Sequence, residues 1–74
     1  MEPKYLVVEI QSNHDGTVGN IVTSYDDLNS AYSKFYTILA AAAISNVAKH
    51  TAVIMDDGGY VHGKNSFVHP QNTD

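Results

Sequence analysis

The feature that most constrains this chain is a single helical segment set between two strand-turn-strand segments. Apolar residues recur at helical spacing in that segment alone, at Leu28, Tyr32, Phe35, Leu39 and Ala42. On either side of it, β-forming residues flank Asp15-Gly16 and Asp56-Asp57-Gly58-Gly59, whose glycines suit the positive φ of tight turns. The pattern predicts a hairpin, a helix and a second hairpin.

The predicted elements form one domain over residues 1–74. We expect strands over 4–12 and 18–25, a helix over 27–46, and strands over 50–56 and 60–68. Gly19 is a candidate bulge, Ser24, Asp26 and Asp27 are competent helix caps, and Asn46 suits a left-handed residue at the helix end. We expect residues 70–74 to form a frayed tail.

Two hairpins joined by a helix favour one sheet order. With a hairpin at each end, the first and third strands run in opposite directions and can pair without a parallel contact. The order 2-1-3-4 is then fully antiparallel, and it places the polar fourth strand at an edge, where polar groups discourage unwanted pairing. We therefore predict an α+β fold, ββαββ, with one helix packed on one face of a four-stranded sheet.

A chain of 74 residues without cysteine has few ways to support its fold. Below about 80 residues a lone core is marginal, and such chains recruit disulfides, a metal or a partner subunit. The lack of cysteine removes disulfides, thiolate metal centres and cysteine nucleophiles. Self-association is the leading remaining support.

The charge balance argues against nucleic acid as a partner. Four lysines, no arginine and eight acidic residues give a net charge of −4, whereas nucleic-acid binders need clustered positive charge. No apolar run approaches the roughly 20 residues that span a bilayer, and the first residues lack the basic and apolar regions of a signal peptide. We expect no membrane association and a cytoplasmic location.

Both faces of the central strands carry apolar residues, although one helix can cover only one face. In the first strand, Leu6, Val8 and Ile10 alternate with Tyr5 and Val7; in the third, Ala52 and Ile54 alternate with Val53 and Met55. We expect a second copy to cover the other face, or strand edges to pair across a two-fold axis, giving a homodimer. The alternative is a monomer with a small apolar patch around one tyrosine.

Five tyrosines are the one compositional oddity of the chain. Tyrosine is enriched at interfaces because it buries a large ring while its hydroxyl stays in water. Packing at the edge of the core accounts for most of them equally well. The candidate interface residues are Tyr5, Val7, Val53, Met55, Tyr32 and Tyr36.

No residue pattern predicts catalysis, a cofactor or a metal. The histidines, His14, His50, His62 and His69, lack the spacing of a metal site, and His62 and His69 are expected on opposite faces of one strand. The carboxylate pairs Asp26-Asp27 and Asp56-Asp57 are explained by a helix cap and a turn. We therefore expect a protein that is not an enzyme.

Several stretches of the chain together resemble a known group of proteins. These are Lys4 to Gln11, Asp15 to Asn20, Tyr25 to Asp27, Leu39 to Ala43 and His50 to Met55. They are similar to short uncharacterised ββαββ proteins encoded by bacteriophages and prophages of gut-type bacteria. The resemblance implies a small protein without assigned enzymatic activity, from genomes in which chains of this size are often virion accessories or inhibitors of host defence.

Two functions follow as hypotheses. The first is a homodimeric interaction protein that presents a tyrosine-bearing, acidic surface to a host or viral protein. The second is a small-molecule binding or sequestering protein, with a site between subunits that uses tyrosines and His50 or His62.

Overall fold

The computed structural model describes residues 4–70 as one sheet and one helix. Strands β1 (Tyr5–Ser12) and β2 (Val18–Tyr25) precede helix α1 (Leu28–Ala43), and strands β3 (Lys49–Asp56) and β4 (Val61–Val68) follow it. The strands form a fully antiparallel sheet in the order β2-β1-β3-β4, with α1 packed on one face. This confirms the predicted fold class and strand order. Residues 71–74, most of the predicted frayed tail, lie outside the described residues.

The register between the two central strands decides which side chains the helix covers. Val7 pairs with Ile54, and Val8 pairs with Val53. Direct partners in an antiparallel ladder point to the same side, and successive residues point to opposite sides. Val7 and Ile54 therefore face α1, where each is at most 1% exposed, while Val53 points away from the helix. The expectation that Val7 and Val53 share a face was wrong, because the sequence pattern did not determine this register.

The core lies between α1 and the middle of the sheet. Its buried cluster consists of Val7, Ala31, Phe35, Ile38, Ala52 and Ile54. Ala31 on the helix and Ala52 on β3 are both fully buried, and their small side chains let the helix lie close to the strand. Partly buried rings and leucines, Tyr5, Tyr25, Leu28, Tyr32 and Leu39, pack around this cluster.

The helix begins one residue later and ends three residues earlier than the predicted range 27–46. Asp27 is the N-cap, and its carboxylate accepts hydrogen bonds from the backbone N–H groups of Asn29 and Ser30. At the other end, Ile44 and Ser45 donate to the carbonyls of Ala41 and Ala42. This tight last turn closes the helix without a left-handed residue, since no residue other than glycine has a positive φ within 4–70. The prediction for Asn46 was wrong.

The two hairpin turns follow the expected chemistry. Gly16 and Gly59 have φ of 91° and 92°, a region that favours glycine. Asp15 accepts a hydrogen bond from the N–H of Thr17 at 2.9 Å. Asp56 accepts from the N–H of Gly58 at 2.9 Å and of Tyr60 at 3.1 Å. Asp56 therefore serves the turn, as predicted.

A bulge lies in β4 and not at Gly19, which pairs regularly with Gln11. Ile54 pairs with Gly63 and Met55 pairs with Val61, so His62 is an extra residue in the ladder. The bulge changes the side on which His62 lies: its ring contacts Tyr5 and Asp56 on the helix side. His69 also lies on that side, 2.7 Å from the carbonyl of Ala42. The prediction that His62 and His69 point to opposite faces was wrong, because it assumed a strand without a bulge.

A matched pair of substitutions tests this core. Ile54→Ala removes a side chain that is 0% exposed, so the free energy of unfolding should fall by about 2–5 kcal/mol. Ile21→Ala removes the same atoms from a site that is 58% exposed, and should cost less than about 1 kcal/mol. Urea denaturation at one protein concentration measures both. Equal losses would contradict the placement of Ile54 under the helix.

Candidate interaction surface

The sheet face opposite α1, which we call the open face, carries a continuous apolar patch. The register places Leu6 beside Met55, and Val8 between Val22 and Val53. Alternation along the strands adds the remaining members. The apolar patch consists of Leu6, Val8, Ile10, Val22, Val53, Met55 and Val61.

The side chains of the apolar patch are only partly shielded from water. Val22 is 55% and Val61 is 45% exposed, and the other five are half-buried by their strand neighbours. On the helix side of the same central strands, Val7, Ala52 and Ile54 are at most 1% exposed. Within residues 4–70, no element packs on the open face. Contiguous apolar surface of this kind is typical of sites that bind another macromolecule.

The charges of the open face are few and of one sign. Lys49 and Lys64 lie there, on the β3-β4 half of the sheet, next to Ser12 and Val53. The β1-β2 half carries no charged residue on this face. The described carboxylates lie elsewhere: Glu9 and Asp56 are on the helix side, and the other described aspartates are in the hairpin turns or the β2-α1 connection. The open face is therefore an apolar surface with a basic border on one half.

The six predicted interface residues do not form one surface. Val53 and Met55 lie in the apolar patch, whereas Val7 is buried in the core and Tyr5 packs against the core on the helix side. The prediction of Tyr5 and Val7 as interface residues implied that the alternating set Leu6, Val8 and Ile10 faces the helix. The structure has these two faces of β1 the other way round.

Tyr32 and Tyr36 form a separate surface on the helix. Their rings stack with centroids 5.9 Å apart and an interplanar angle of 22°. Tyr36 is 61% exposed, while Tyr32 packs partly against the core. The pair presents an aromatic platform on the side of the molecule opposite the apolar patch.

Beneath the helix, a buried histidine joins two strands. His50 is 3% exposed, and its Nε2 lies 2.7 Å from the carboxylate of Glu9. The same oxygen of Glu9 accepts a hydrogen bond from the amide of Gln11 at 3.0 Å. Buried charged groups need such partners, since an unpaired one costs several kcal/mol. The pair therefore links β1 to β3 on the helix side.

The hydrogen-bonded chain continues to the end of the helix. His50 Nδ1 lies 3.3 Å from Ser45 Oγ, and Ser45 Oγ donates to the carbonyl of Ala42 at 3.3 Å. The ring of His69 reaches the same carbonyl from the end of β4. A serine, a histidine and a glutamate in line resemble a hydrolase triad in composition. Ser45 Oγ also bonds to the helix carbonyl, so the chain joins the helix end to β1, β3 and β4.

The electrostatics of Glu9 follow from these contacts. Burial raises the pKa of Glu9, but the hydrogen bonds from Gln11 and His50 and the charges of His50 and Lys34 outweigh it. The net result is a pKa below the ordinary value of 4.5. The folded protein therefore favours ionised Glu9 more strongly than the unfolded chain does.

A second histidine lies beside the β3-β4 turn. His62 Nε2 is 3.4 Å from Asp56 Oδ2, which is within ion-pair range, but it makes no hydrogen bond to a described residue. The rings of Tyr5 and Tyr60 contact His62 edge-on, with centroids 5.7 and 4.9 Å away. The hydrogen bond from the N–H of Tyr60 is the main cause of the lowered pKa of Asp56. Burial opposes it, and Gly58 and His62 add smaller lowering effects. Among residues 4–70, no three histidine or acidic side chains converge as a metal site.

Two shallow depressions are open to solvent. One, of about 220 Å³, lies at the β1-β2 end of the helix side and is lined by Glu9, Gln11, Asn13, Gly19, Asn20 and Ile21. The other, of about 350 Å³, lies along β3 and β4 and is lined by Lys49, Thr51, Lys64, Asn65 and Ser66. Neither encloses a ligand in the way that typical small-molecule pockets do. This geometry gives the small-molecule hypothesis less support than the interaction hypothesis.

Comparison with known proteins gives no identification. No protein-family model, curated protein or solved structure matches the chain. Within residues 4–70, no helix is long and apolar enough to cross a lipid bilayer.

The Glu9–His50 pair predicts a specific acid sensitivity. Because folding lowers the pKa of Glu9, its ionisation stabilises the fold above about pH 4.5, and this contribution is lost as pH falls through the lower folded value. Glu9→Gln should therefore cost about 1–3 kcal/mol at pH 7 and flatten the fall in stability below pH 4.5. Denaturant unfolding at a series of pH values measures both effects. Asp57→Asn, at an exposed carboxylate, is the control and should leave the profile close to that of the parent. A parent-like acid profile for Glu9→Gln would contradict the proposed role of the pair.

Proposed function

We propose that the protein is a small non-enzymatic interaction protein that works as a homodimer, with the open faces of two copies packed together. The observation that carries this proposal is the apolar patch, which covers the middle of a sheet face that no described element shields. A second copy of the chain supplies a matching apolar patch by symmetry. Packing two such sheets face to face, about 10 Å apart, is a common way to bury apolar strand surfaces.

The size of the open face is sufficient for this association. Four strands of eight residues, at about 4.8 Å between strands and about 3.4 Å per residue, span roughly 19 by 27 Å. Two such faces together bury on the order of 1,000 Å², the area at which specific interfaces begin. An isolated core of this size is marginal, so burial of this face would also stabilise each subunit.

The charges of the open face are compatible with self-association. Around a two-fold axis parallel to the strands, the β3-β4 half of one copy lies over the β1-β2 half of the other. Lys49 and Lys64 then face a half-sheet without charged residues on that side. The two copies thereby avoid opposing like charges, which destabilise an interface.

We propose that the dimer binds a host or viral protein through the surfaces that remain exposed. The stacked pair Tyr32 and Tyr36 is one such surface, because exposed aromatic side chains supply much of the energy at protein interfaces. The resemblance to short phage and prophage proteins supports a role as an accessory protein of that kind.

Sedimentation of two lysine variants tests the dimer. Val53→Lys places a charge in the middle of the apolar patch, whereas Ile21→Lys places one on an exposed strand position of the other face. We expect the parent and Ile21→Lys to sediment as dimers at micromolar concentration, and Val53→Lys to sediment as a folded monomer. Burying an unpaired lysine between two apolar faces is costly, so Val53→Lys should weaken the association of the two copies.

Circular dichroism checks that both variants keep the helix and sheet. A parent protein that stays monomeric at several hundred micromolar would refute the proposed dimer. The same conclusion would follow if Val53→Lys were folded and as dimeric as Ile21→Lys.

A further inference from the structure

The two edge strands of the sheet are protected to different degrees. In β4, a bulge at His62 interrupts the ladder and Lys64 adds a charge, and both features discourage the addition of another strand. In β2 all eight residues pair with β1 in an unbroken register, and none of them is charged or proline. Within residues 4–70, no backbone hydrogen bond joins β2 to any strand other than β1. The outer edge of β2 is therefore a regular template for pairing.

An added strand would shield side chains from water on both faces of β2. Ile21 points to the helix side and is 58% exposed, while Val22 points to the open face and is 55% exposed. Helix α1 lies mainly over β1 and β3, so it leaves Ile21 largely uncovered. A strand added at this edge would cover both side chains and also satisfy the outward backbone groups.

Acidic residues flank β2 at both of its ends. Asp15 lies in the turn before the strand, and Asp26 and Asp27 follow it, with the carboxylate of Asp26 paired to Lys4. Hydrogen bonds, chiefly from Thr17 to Asp15 and from Ser30 to Asp27, hold the pKa of each of these two carboxyls below its ordinary value. Both are therefore negatively charged at neutral pH. A strand lying along β2 would meet the carboxylates of Asp15 and Asp27 at its ends and an uncharged middle that includes Ile21 and Val22.

We propose that the outer edge of β2 binds an extended segment of a partner protein by strand addition. The segment recognised would alternate apolar and small polar residues and carry lysine or arginine at both ends. This inference rests on the proposed interaction role and specifies the form of the partner, but it does not require the open-face dimer. The binding energy would come from main-chain hydrogen bonds, and the selectivity from the two acidic ends.

A second copy of β2 fits this edge less well than such a segment. In an antiparallel pairing of two β2 strands centred on Ile21, Asp15 of one copy lies opposite Asp27 of the other. Centring the pair on Val22 moves these carboxylates apart by only two residues. Like charges at such positions destabilise strand pairing, and they would occur at both ends of the symmetric pair.

A synthetic peptide tests the proposal. The probe is an acetylated, amidated nine-residue peptide in which threonine and valine alternate between two terminal lysines. Titrated into the ¹⁵N-labelled full chain, it should cause saturable amide shifts in β2 and its two flanking turns. Replacing the terminal lysines with glutamates should weaken binding by roughly tenfold.

N-methylation of the peptide tests whether binding uses the main chain. Two isomers, methylated at alternate positions, block opposite edges of the peptide. One isomer should lose binding and the other should keep it, because only one edge faces β2. Equal affinity of the two isomers would overturn the strand-addition mode.

Three protein variants locate the site. Ile21→Lys should weaken peptide binding by roughly tenfold, while Val68→Lys, at an exposed position on the other edge strand, should bind like the parent. Val53→Lys should also bind like the parent, even as a monomer. The proposal is overturned if shifts map to β4 or the open face, or if binding does not saturate by millimolar peptide. It is equally overturned if, in the Val53→Lys variant without peptide, the β2 amides that point away from β1 become protected from hydrogen exchange with rising concentration, since a second copy would then occupy the edge.

These results are independent of those for the dimer. A monomeric parent that binds the peptide at β2 would refute the open-face dimer and support strand addition. A dimeric parent that does not bind the peptide would support the open-face dimer and refute strand addition.

Discussion

The packing of α1 against the central strands is the contact on which the rest of the structure depends. A helix of 16 residues covers one face of a four-stranded sheet and leaves the other without a partner inside the chain. The buried cluster around Phe35 and Ile54 exists because that contact excludes water. The apolar patch stays partly exposed for the same reason. One geometric limit thus accounts for both the core and the proposed interface.

The buried polar chain gives the helix a defined position on the sheet. Apolar contacts are not directional, so the cluster around Phe35 alone would tolerate small shifts of α1. The hydrogen bonds from Glu9 through His50 and Ser45 to the carbonyl of Ala42 have preferred lengths and directions. They join the end of the helix to the neighbouring strands, so a change in the strand register or in the helix position would leave buried polar groups unpaired. Specificity of the fold is the role that best suits these residues.

Three exposed features of the molecule bear on its proposed role, and each uses a different physical property. The open face offers apolar area, the stacked tyrosines on α1 offer aromatic contacts, and the edge of β2 offers unpaired main-chain groups between acidic ends. In a chain this small they lie on different sides of one sheet and one helix. A homodimer could therefore use the open face for itself while the outer surfaces stay accessible to a partner.

Local sequence determined the element order and the two glycine turns, because periodicity and turn chemistry act over a few residues. The two hairpins then favoured a fully antiparallel strand order. The choice of Asp27 as the helix cap, among three candidates, came from the structure. The helix end at Ala43 was predicted three residues late, since a tight last turn needs no left-handed residue at Asn46. Only the tertiary structure decided which face of β1 is covered, because the sequence places apolar residues on both and the register of Val7 with Ile54 makes the choice. The bulge at His62, the burial of His50 against Glu9 and the unprotected edge of β2 likewise depend on pairings between residues far apart in the chain, which no local pattern specifies.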